Sequence, residues 1–454
     1  MKDTKDPAKK MSRRIAILAG ASILAGLLVL LNLGNWQGDV FTSSLVNSET
    51  VYIMLALWFV IPVALLALAV SVVRVARPHI KKNKRRPRKK RGKHVNEPRF
   101  SNLSRIDVQQ KQQPAVSYVQ RDLQQICEEF RNYAASELGL YYDIADIRRF
   151  IAGLGMGRLM IIRGMSGTGK TSLAYAAGAF FGNPAVIVPV QPMWKERADM
   201  IGYFNEFTKR FNETTLLCKL YEAGGSEDIY ITVLDEVNIS RIEYYFAEFL
   251  SLLEIPDPQQ RQLEVVSDSW DNDPQRLRGG KLCLPENMWF IGTANNDDST
   301  FAISDKVYDR AAVLDLDKKC APFAAKAASN LRISWRDLEA QFAQARSQVR
   351  MSAEGEQKLA QLDEHLRTHL GITFGNRIMR QLREYVPVMV ACGGTQTGAM
   401  DDILARKILR KLEQLSPVLL RSEIPVLLTL LEELFGEDQM PLSREYLARL
   451  LKST

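Results

Sequence analysis

Cysteine and histidine are scarce in this sequence, and their spacing argues against two classes of protein. Five cysteines and four histidines occur among 454 residues, and no two cysteines are spaced as C-x-x-C. The sequence therefore signals neither a disulfide framework nor a structural zinc site, and it suits a reducing compartment. With 46% hydrophobic and 25% charged residues, the chain is neither disordered nor collagen-like. Its length suffices for one large or two ordinary globular units.

Motifs of several hydrolase classes are also missing. The sequence has no H-E-x-x-H metalloprotease motif and no G-x-S-x-G nucleophile elbow.

Acidic residues are scarce in the N-terminal part of the chain. Residues 1–100 hold 19 of the 60 Lys and Arg but only 5 of the 52 Asp and Glu. The remaining residues are mildly acidic, so direct binding of nucleic acid by the globular part is not expected.

Two long segments lack charge altogether. Residues 15–33 are uncharged over 19 positions and residues 51–73 over 23. At about 1.5 Å per residue, the shorter segment spans roughly 28 Å, close to the thickness of the hydrocarbon core. We interpret residues 1–78 as a two-helix transmembrane hairpin. The alternatives are a cleaved signal peptide for the first segment and a pair of buried core helices.

The charges that flank these segments predict their orientation. Lys and Arg precede the first and follow the second, whereas the loop 34–50 has neither. The positive-inside rule then places both termini on the cytoplasmic side. Between Arg74 and Lys93 there are 12 basic residues and no acid. This run, which continues into a polar linker at 79–115, is interpreted as a topology signal. Binding of acidic membrane lipid and binding of DNA are the alternatives.

A glycine-rich segment follows an apolar, strand-like run. Residues 158–172 read RLMIIRGMSGTGKTS and match G-x-x-x-x-G-K-[ST]. The glycines let the loop curl so that backbone N–H groups face a β-phosphate, Lys170 reaches the β- and γ-phosphates, and Thr171 offers a hydroxyl to Mg²⁺. The predicted nucleotide-binding residues are Gly164, Met165, Ser166, Gly167, Thr168, Gly169, Lys170, Thr171 and Ser172.

A second apolar run, IYITVLDE, ends in two acids. In a buried parallel strand these acids would lie at the carboxyl end, beside the glycine-rich loop. Asp235 is predicted to hold Mg²⁺ through water, in addition to the hydroxyl that Thr171 offers the ion. Glu236 is predicted to polarise the attacking water as a general base. A third run, MWFIGTAN, ends at Asn295, which could contact the γ-phosphate and the water. A turn rich in Asn and Asp is the alternative.

The order of these elements resembles the AAA+ ATPases, and within them the dynein-related group that contains the MoxR and McrB branches. The McrB-like stretches are GMSGTGKTS, VPVQPMWKERADMIGYFN, LDEVN and IGTANNDDSTFAISDKVYDRAAVLDL, and the similarity covers roughly residues 116–430. It implies an α/β P-loop NTPase core, with a parallel sheet and flanking helices, at 116–319. An all-helical lid with further C-terminal helices is implied at 320–454.

The resemblance also implies roles for polar residues after the third run. Asn295 corresponds to the sensor 1 position. Asp298 corresponds to the last residue of the N-x-x-D signature, which positions the attacking water. Ser299 stands where that branch usually has Arg, so the chain departs from the McrB pattern there.

Two arginines complete the implied catalytic set. Arg310 corresponds to the arginine finger, which would reach the γ-phosphate in a neighbouring subunit. A salt bridge from Arg310 to Asp305 or Asp309 is the alternative. Arg377 corresponds to the sensor 2 position of the lid, with Arg380 as the competing residue.

Residues 256–286 contain two short strand-like runs, RQLEVV and KLCLP, and resemble the hairpin inserted before sensor 1 in the same group. Trp270 lies between the runs. We interpret it as a packing residue, with a role in gripping a substrate as the alternative.

The expected function is Mg²⁺-dependent hydrolysis of ATP, or of GTP, by a homo-oligomeric ring, which the resemblance implies to be a hexamer. The ring would remodel a protein or drive a partner effector at the cytoplasmic (inner) membrane of a prokaryote. A McrB-like defence motor with a McrC-like or other effector partner, and a MoxR-like chaperone, are both open. Two further alternatives are a nucleotide-gated membrane scaffold with little turnover and a DNA-binding module that uses the basic run.

Overall fold

The computed structural model describes residues 98–114, 116–295 and 300–453. These residues belong to one unit of the chain, Asn96–Thr454. The predicted hairpin at 1–78, with its segments 15–33 and 51–73, lies outside the described residues, as do the basic run and Asp298.

The described chain begins with three helices, α1 (Ser101–Gln112), α2 (Leu123–Leu138) and α3 (Ile144–Met156). The sheet region follows with β1 (Leu159–Gly164), α4 (Lys170–Phe180), β2 (Val186–Pro189), α5 (Arg197–Ile201), β3 (Gly202–Asn205), β4 (Arg210–Glu213), α6 (Thr215–Ala223), β5 (Tyr230–Asp235), α7 (Ile242–Tyr245), α8 (Ala247–Leu252), β6 (Gln262–Glu264), β7 (Leu277–Arg278), β8 (Lys281–Cys283), β9 (Met288–Asn295), α9 (Asp305–Tyr308) and β10 (Ala312–Asp315). The last part is helical, with α10 (Trp335–Gln348), α11 (Ala353–Leu370), α12 (Gly375–Ala391), α13 (Gln396–Ile403), α14 (Pro417–Phe435) and α15 (Pro441–Ser453).

Five strands form a parallel sheet in the order β10-β1-β9-β5-β2. Because parallel neighbours need crossover connections, helices cover both faces of the sheet. Gly164 at the end of β1 pairs with Asn295 at the end of β9, so the carboxyl ends of these strands meet at one edge. The parallel α/β sheet with flanking helices that the sequence predicts is confirmed.

Alternate residues of the central strands enter two different hydrophobic clusters, which explains why these strands are apolar throughout. Ile162 and Ile291 pack with α2, α3, α4 and the C-terminal helices. Ile161 and Phe290 pack with α1, α6 and the segment between β5 and β9. The first cluster runs from the sheet into α10–α15. The predicted boundary between residues 319 and 320 therefore crosses a shared core, and the division into two domains stays a prediction.

Two small antiparallel insertions project from the sheet region. Strands β3 and β4 form a hairpin, and β6, β8 and β7 form a three-stranded sheet within 256–286. Arg99, near the start of the described chain, binds residues of the three-stranded insertion at 256–286. Its guanidinium is 1% exposed, binds Asp268 and Asp273 at 2.6–2.8 Å and lies 4.5 Å from the centre of the Trp270 ring. Trp270 thus packs against Arg99, as the sequence interpretation favoured.

The predicted membrane localisation is corrected. None of the helices in residues 98–114, 116–295 and 300–453 is long and apolar enough to cross a bilayer. The expected location in a prokaryotic inner membrane, and the contact with membrane lipid that it implied, are therefore not retained.

Candidate functional site

The glycine-rich loop joins β1 to α4 at the carboxyl edge of the sheet. Gly169 has φ 93°, and a Cβ at this position would lie 3.2 Å from the hydroxyl of Tyr142. Tyr142 is buried and donates a hydrogen bond to the Gly169 carbonyl at 3.0 Å. This bond fixes the backbone where the loop enters α4. The N-terminus of an 11-residue helix then faces the loop, which favours an anion there.

Lys170 points back into the loop. Its ammonium donates to the carbonyl of Gly164 at 3.0 Å and to that of Met165 at 2.7 Å, and the residue is 6% exposed. A buried ammonium enclosed by a backbone turn attracts an anion that replaces or joins these carbonyls. The predicted phosphate-binding residue therefore lies where such a ligand would be held.

The other predicted loop residues divide by exposure. Met165, Ser166 and Gly167 form the exposed outer turn, and Thr168 is buried. The Thr168 hydroxyl donates to the Met165 carbonyl at 3.0 Å, which closes the turn. Ser172 is half-buried in the first turn of α4.

Asp235 gathers two hydroxyl groups at the end of β5. Thr171 donates to its Oδ1 at 2.7 Å from α4. Thr293 donates to the same oxygen at 2.7 Å from β9. Thr293 is the donor in the second bond because a carboxylate oxygen can only accept, and the Thr293 oxygen also accepts the backbone N–H of Glu236 at 3.0 Å. One threonine therefore orients both acids of the pair.

Sequence reasoning missed Thr293. It lies two residues before Asn295 in β9 and so points to the same face of the sheet. It is 2% exposed. A polar residue inside an otherwise buried apolar strand is the signal that could have identified it, because a buried hydroxyl needs a partner.

Glu236 has an unusual backbone conformation. Its φ of 55° and ψ of 53° lie in the left-handed region, which costs a non-glycine residue about 1 kcal/mol or more. The strained turn directs its side chain toward β9, where the Asn295 amide donates to Oε1 at 3.4 Å. The structure thus brings together the predicted loop, the two acids and Asn295.

Asn238 joins the two ends of the segment that contains Asp298. Its amide donates to the Asn295 carbonyl at 2.8 Å and to the Thr300 hydroxyl at 2.9 Å. Asp298 itself lies outside the described residues, so its predicted role stays a prediction.

Arg310 lies at the other edge of the sheet. It precedes β10, whose first residue, Ala312, is next to Met160 near the start of β1. The loop leaves β1 at Gly164, which is four residues after Met160. Four strand residues correspond to about 13 Å between these two positions. Arg310 therefore lies at the amino edge of the sheet, at a distance from the loop of its own chain.

Arg310 and Arg377 share one carboxylate. Arg310 Nη2 lies 2.9 Å from Glu254 Oε2, and Arg377 Nη2 lies 2.8 Å from Glu254 Oε1. Arg377 is in the first turn of α12, so the structure places it beside Arg310. Arg380 is exposed one turn further on.

The two alternative partners of Arg310 are otherwise engaged. Asp305 binds Arg410, and Asp309 lies 3.9 Å from Lys411. In the described part of the chain, the ion pair found for Arg310 is therefore the one with Glu254 rather than either predicted salt bridge.

A cavity of about 730 Å³ opens beside the loop. Its walls include Met165 of the loop, Asp143 and Arg149 at the start of α3, and Arg406 and Tyr446 of the C-terminal helices. This volume is in the range of small-molecule sites. The cavity adjoins the loop at Met165.

A family model and a solved structure are each similar to part of this chain. A family model described as "Domain of unknown function (DUF8727)" matches residues 328–454. No curated protein matches the chain. Among solved structures, the chain is similar to a full-length MCM homologue from Methanopyrus kandleri, with a TM-score of 0.36 and 10% sequence identity. The similarity covers 62% of this chain and 59% of that one. Likeness at this level identifies neither a family nor an activity.

Proposed function

We propose that this chain is a Mg²⁺-dependent nucleoside triphosphatase that works as a homo-oligomeric ring. The observation that carries the proposal is the convergence at Asp235 of the hydroxyls of Thr171 and Thr293, each at 2.7 Å. The loop lysine directly precedes Thr171 in the chain, and Glu236 directly follows Asp235. A phosphate loop, a cation-binding pair and a general base are the parts that phosphoryl transfer to water requires.

The residues at the loop fit Mg²⁺. A hydroxyl and a carboxylate are the hard oxygen ligands that this ion prefers, and a site with few protein ligands leaves room for substrate phosphates. When bound, Mg²⁺ would neutralise negative charge on the β- and γ-phosphates.

The chain itself contributes binding, orientation and proton transfer. The backbone N–H groups at the start of α4 and the Lys170 ammonium bind the phosphates. Glu236 accepts a proton from the attacking water, and Asn295 holds the Glu236 carboxylate and the water in position. The neighbouring cavity accommodates the nucleoside of ATP or GTP.

The position of Arg310 supports the ring. Arg310 precedes the amino end of β10, and about 13 Å or more of strand separates this end of the sheet from Gly164, where the loop of the same chain begins. It can therefore serve only the site of another copy, and a head-to-tail contact of this kind forms a ring when its rotation closes. The resemblance to the McrB and MoxR branches supports a hexamer that remodels a protein or drives an effector partner.

Phosphate release by the purified chain tests the activity. We expect Mg²⁺-dependent release from ATP or GTP. Lys170→Ala should lose nucleotide binding, and Glu236→Gln should keep binding while turnover falls about 100-fold or more. Nucleotide-dependent assembly of the wild-type chain with negligible turnover would overturn hydrolysis in favour of a nucleotide-gated scaffold. Full turnover by Glu236→Gln would show that another group is the base.

A trapping experiment tests the biological role. The Glu236→Gln chain is purified with bound nucleotide, and co-purifying proteins are identified by mass spectrometry against a Lys170→Ala control. A partner with a nuclease or other effector domain supports a McrB-like motor with a McrC-like partner. Recovery of substrate proteins alone supports a MoxR-like chaperone.

A further inference from the structure

Glu254 is the carboxylate that joins the two arginines at the amino edge of the sheet. We propose that Glu254 is a positioning residue that holds Arg310 and Arg377 as a pair for the nucleotide phosphates of a neighbouring copy. This inference rests on the proposed function. It adds a residue that neither the motifs nor the resemblance indicated.

The three side chains come from separate parts of the fold. Glu254 lies in the turn after α8, Arg310 lies between α9 and β10, and Arg377 lies in the first turn of α12. Each carboxylate oxygen of Glu254 binds one guanidinium, at 2.9 and 2.8 Å. A single carboxylate therefore fixes the spacing of two like charges that would otherwise separate.

The arrangement leaves both arginines able to bind an anion. Two guanidinium groups and one carboxylate carry a net charge of about +1. The side chains of Arg310 and Arg377 are 27% and 39% exposed, so both remain accessible. Each guanidinium has five N–H donors, of which Glu254 uses few, and the remaining donors can bind phosphate oxygens.

A hydrogen bond from Gln381 also connects α12 to the amino edge of the sheet. Gln381, one turn beyond Arg377 in α12, donates to the backbone carbonyl of Asp309 at 2.8 Å. Asp309 directly precedes Arg310. Because α12 contacts this edge through both Arg377 and Gln381, a shift of the C-terminal helices would move Arg310 and Arg377 together.

The competing explanation is an ordinary surface ion pair. Exposed ion pairs contribute little to the stability of a fold. The chain offers a matched control, because Glu248 in α8 pairs with Arg197 at 2.8 Å and the two side chains are 34% and 32% exposed. Glu248 has one arginine partner and no place in the proposed site.

The first experiment compares Glu254→Gln with Glu248→Gln in the full chain. We expect Glu254→Gln to lower kcat about tenfold or more, with KM for the nucleotide and the midpoint of thermal unfolding unchanged, and Glu248→Gln to match the wild type. The effect of Glu254→Gln should largely vanish in an Arg310→Ala background, because coupled residues are not additive. Equal kcat for the two glutamine variants would overturn the proposal, as would a rise in kcat for Glu254→Gln.

Mixing two variants tests action between copies. Glu254→Gln subunits keep an intact nucleotide site, whereas Glu236→Gln subunits keep intact arginines. A mixture of the two should therefore turn over faster than either alone, which a purely structural role of Glu254 would not produce. Absence of any gain on mixing contradicts the proposal.

The wild type distinguishes failure of the proposed function from failure of the role of Glu254. If the wild type hydrolyses neither ATP nor GTP, both have failed. If it does and Glu254→Gln behaves like the control, only the role of Glu254 has failed.

Discussion

The Thr293 hydroxyl donates to Asp235 Oδ1 across two neighbouring strands, at 2.7 Å. The hydroxyl is the donor because a carboxylate oxygen can only accept, and the Thr293 oxygen itself accepts the N–H of Glu236 at 3.0 Å. The contact also helps to hold Glu236 in its left-handed backbone conformation. The orientation of both acids therefore depends on a residue that is assigned no part in the chemistry.

We predict that Thr293→Val lowers turnover about tenfold to 100-fold and leaves nucleotide binding unchanged. Valine keeps the shape but removes the bond to Asp235 and leaves the Glu236 N–H without its partner, which costs about 1–3 kcal/mol of stability. Thr293→Ser keeps the hydroxyl and should retain most of the activity. The measurement is kcat by phosphate release, alongside nucleotide affinity. Equal activity of the valine and serine variants would show that the hydroxyl does not position the acids.

We predict that Thr171→Val raises the Mg²⁺ concentration needed for half-maximal turnover. The substitution removes one of the two proposed oxygen ligands and also the 2.7 Å bond to Asp235. Chelation of Mg²⁺ by EDTA should stop turnover in the wild type, and added Mg²⁺ should restore it. A titration with Mg²⁺ at fixed nucleotide concentration gives the comparison. An unchanged Mg²⁺ requirement would exclude Thr171 as a ligand.

Local patterns were sufficient to predict the sheet and the main part of the site. The strands β1, β5 and β9 are apolar runs that end in glycine, acids or asparagine, and parallel strands bring their carboxyl ends to one edge. The motif spacing alone identified Lys170 and Thr171. These features could be found because the residues that indicate each one lie within a few positions of it in the sequence.

The positions of Thr293 and Glu254 could not be predicted in the same way. Thr293 matters because Asp235 lies beside it in the sheet, 58 residues away along the chain. Glu254 lies in a turn with no motif, and its two partners come from later parts of the chain. Both roles depend on tertiary contacts, which local periodicity does not encode.

We predict that Arg99→Ala lowers the free energy of unfolding by about 3 kcal/mol. The substitution removes the arginine partner of the buried Asp273 carboxylate, whose side chain is 4% exposed and which then keeps the backbone N–H of Trp270 as a donor. Urea denaturation measures the change. The control is Arg336→Ala, because Arg336 pairs with Glu227 on the surface with 70% and 44% exposure and should contribute less than about 1 kcal/mol. Equal effects of the two substitutions would contradict the importance of burial at Arg99.

We predict that Lys407 makes stability rise with pH between about 7 and 10.5. Burial lowers the pKa of this lysine from 10.5 to about 7 in the folded chain, where its ammonium donates to Gln381 at 2.6 Å. Between these two pKa values the unfolded chain binds the proton more tightly, so the free energy of unfolding increases as pH rises. The destabilisation is largest below pH 7 and disappears above the unfolded pKa.

Lys407→Met provides the test of this pH dependence, because other groups also titrate in the alkaline range. Tyr245 and Tyr385, for example, have pKa values raised by burial, but they are common to both proteins and cancel in the difference. Thermal unfolding of the wild type and the variant is measured from pH 7 to 10. The advantage of the variant over the wild type should shrink steadily as pH rises. A constant difference across this range would mean that Lys407 keeps its ordinary pKa and remains charged inside the fold.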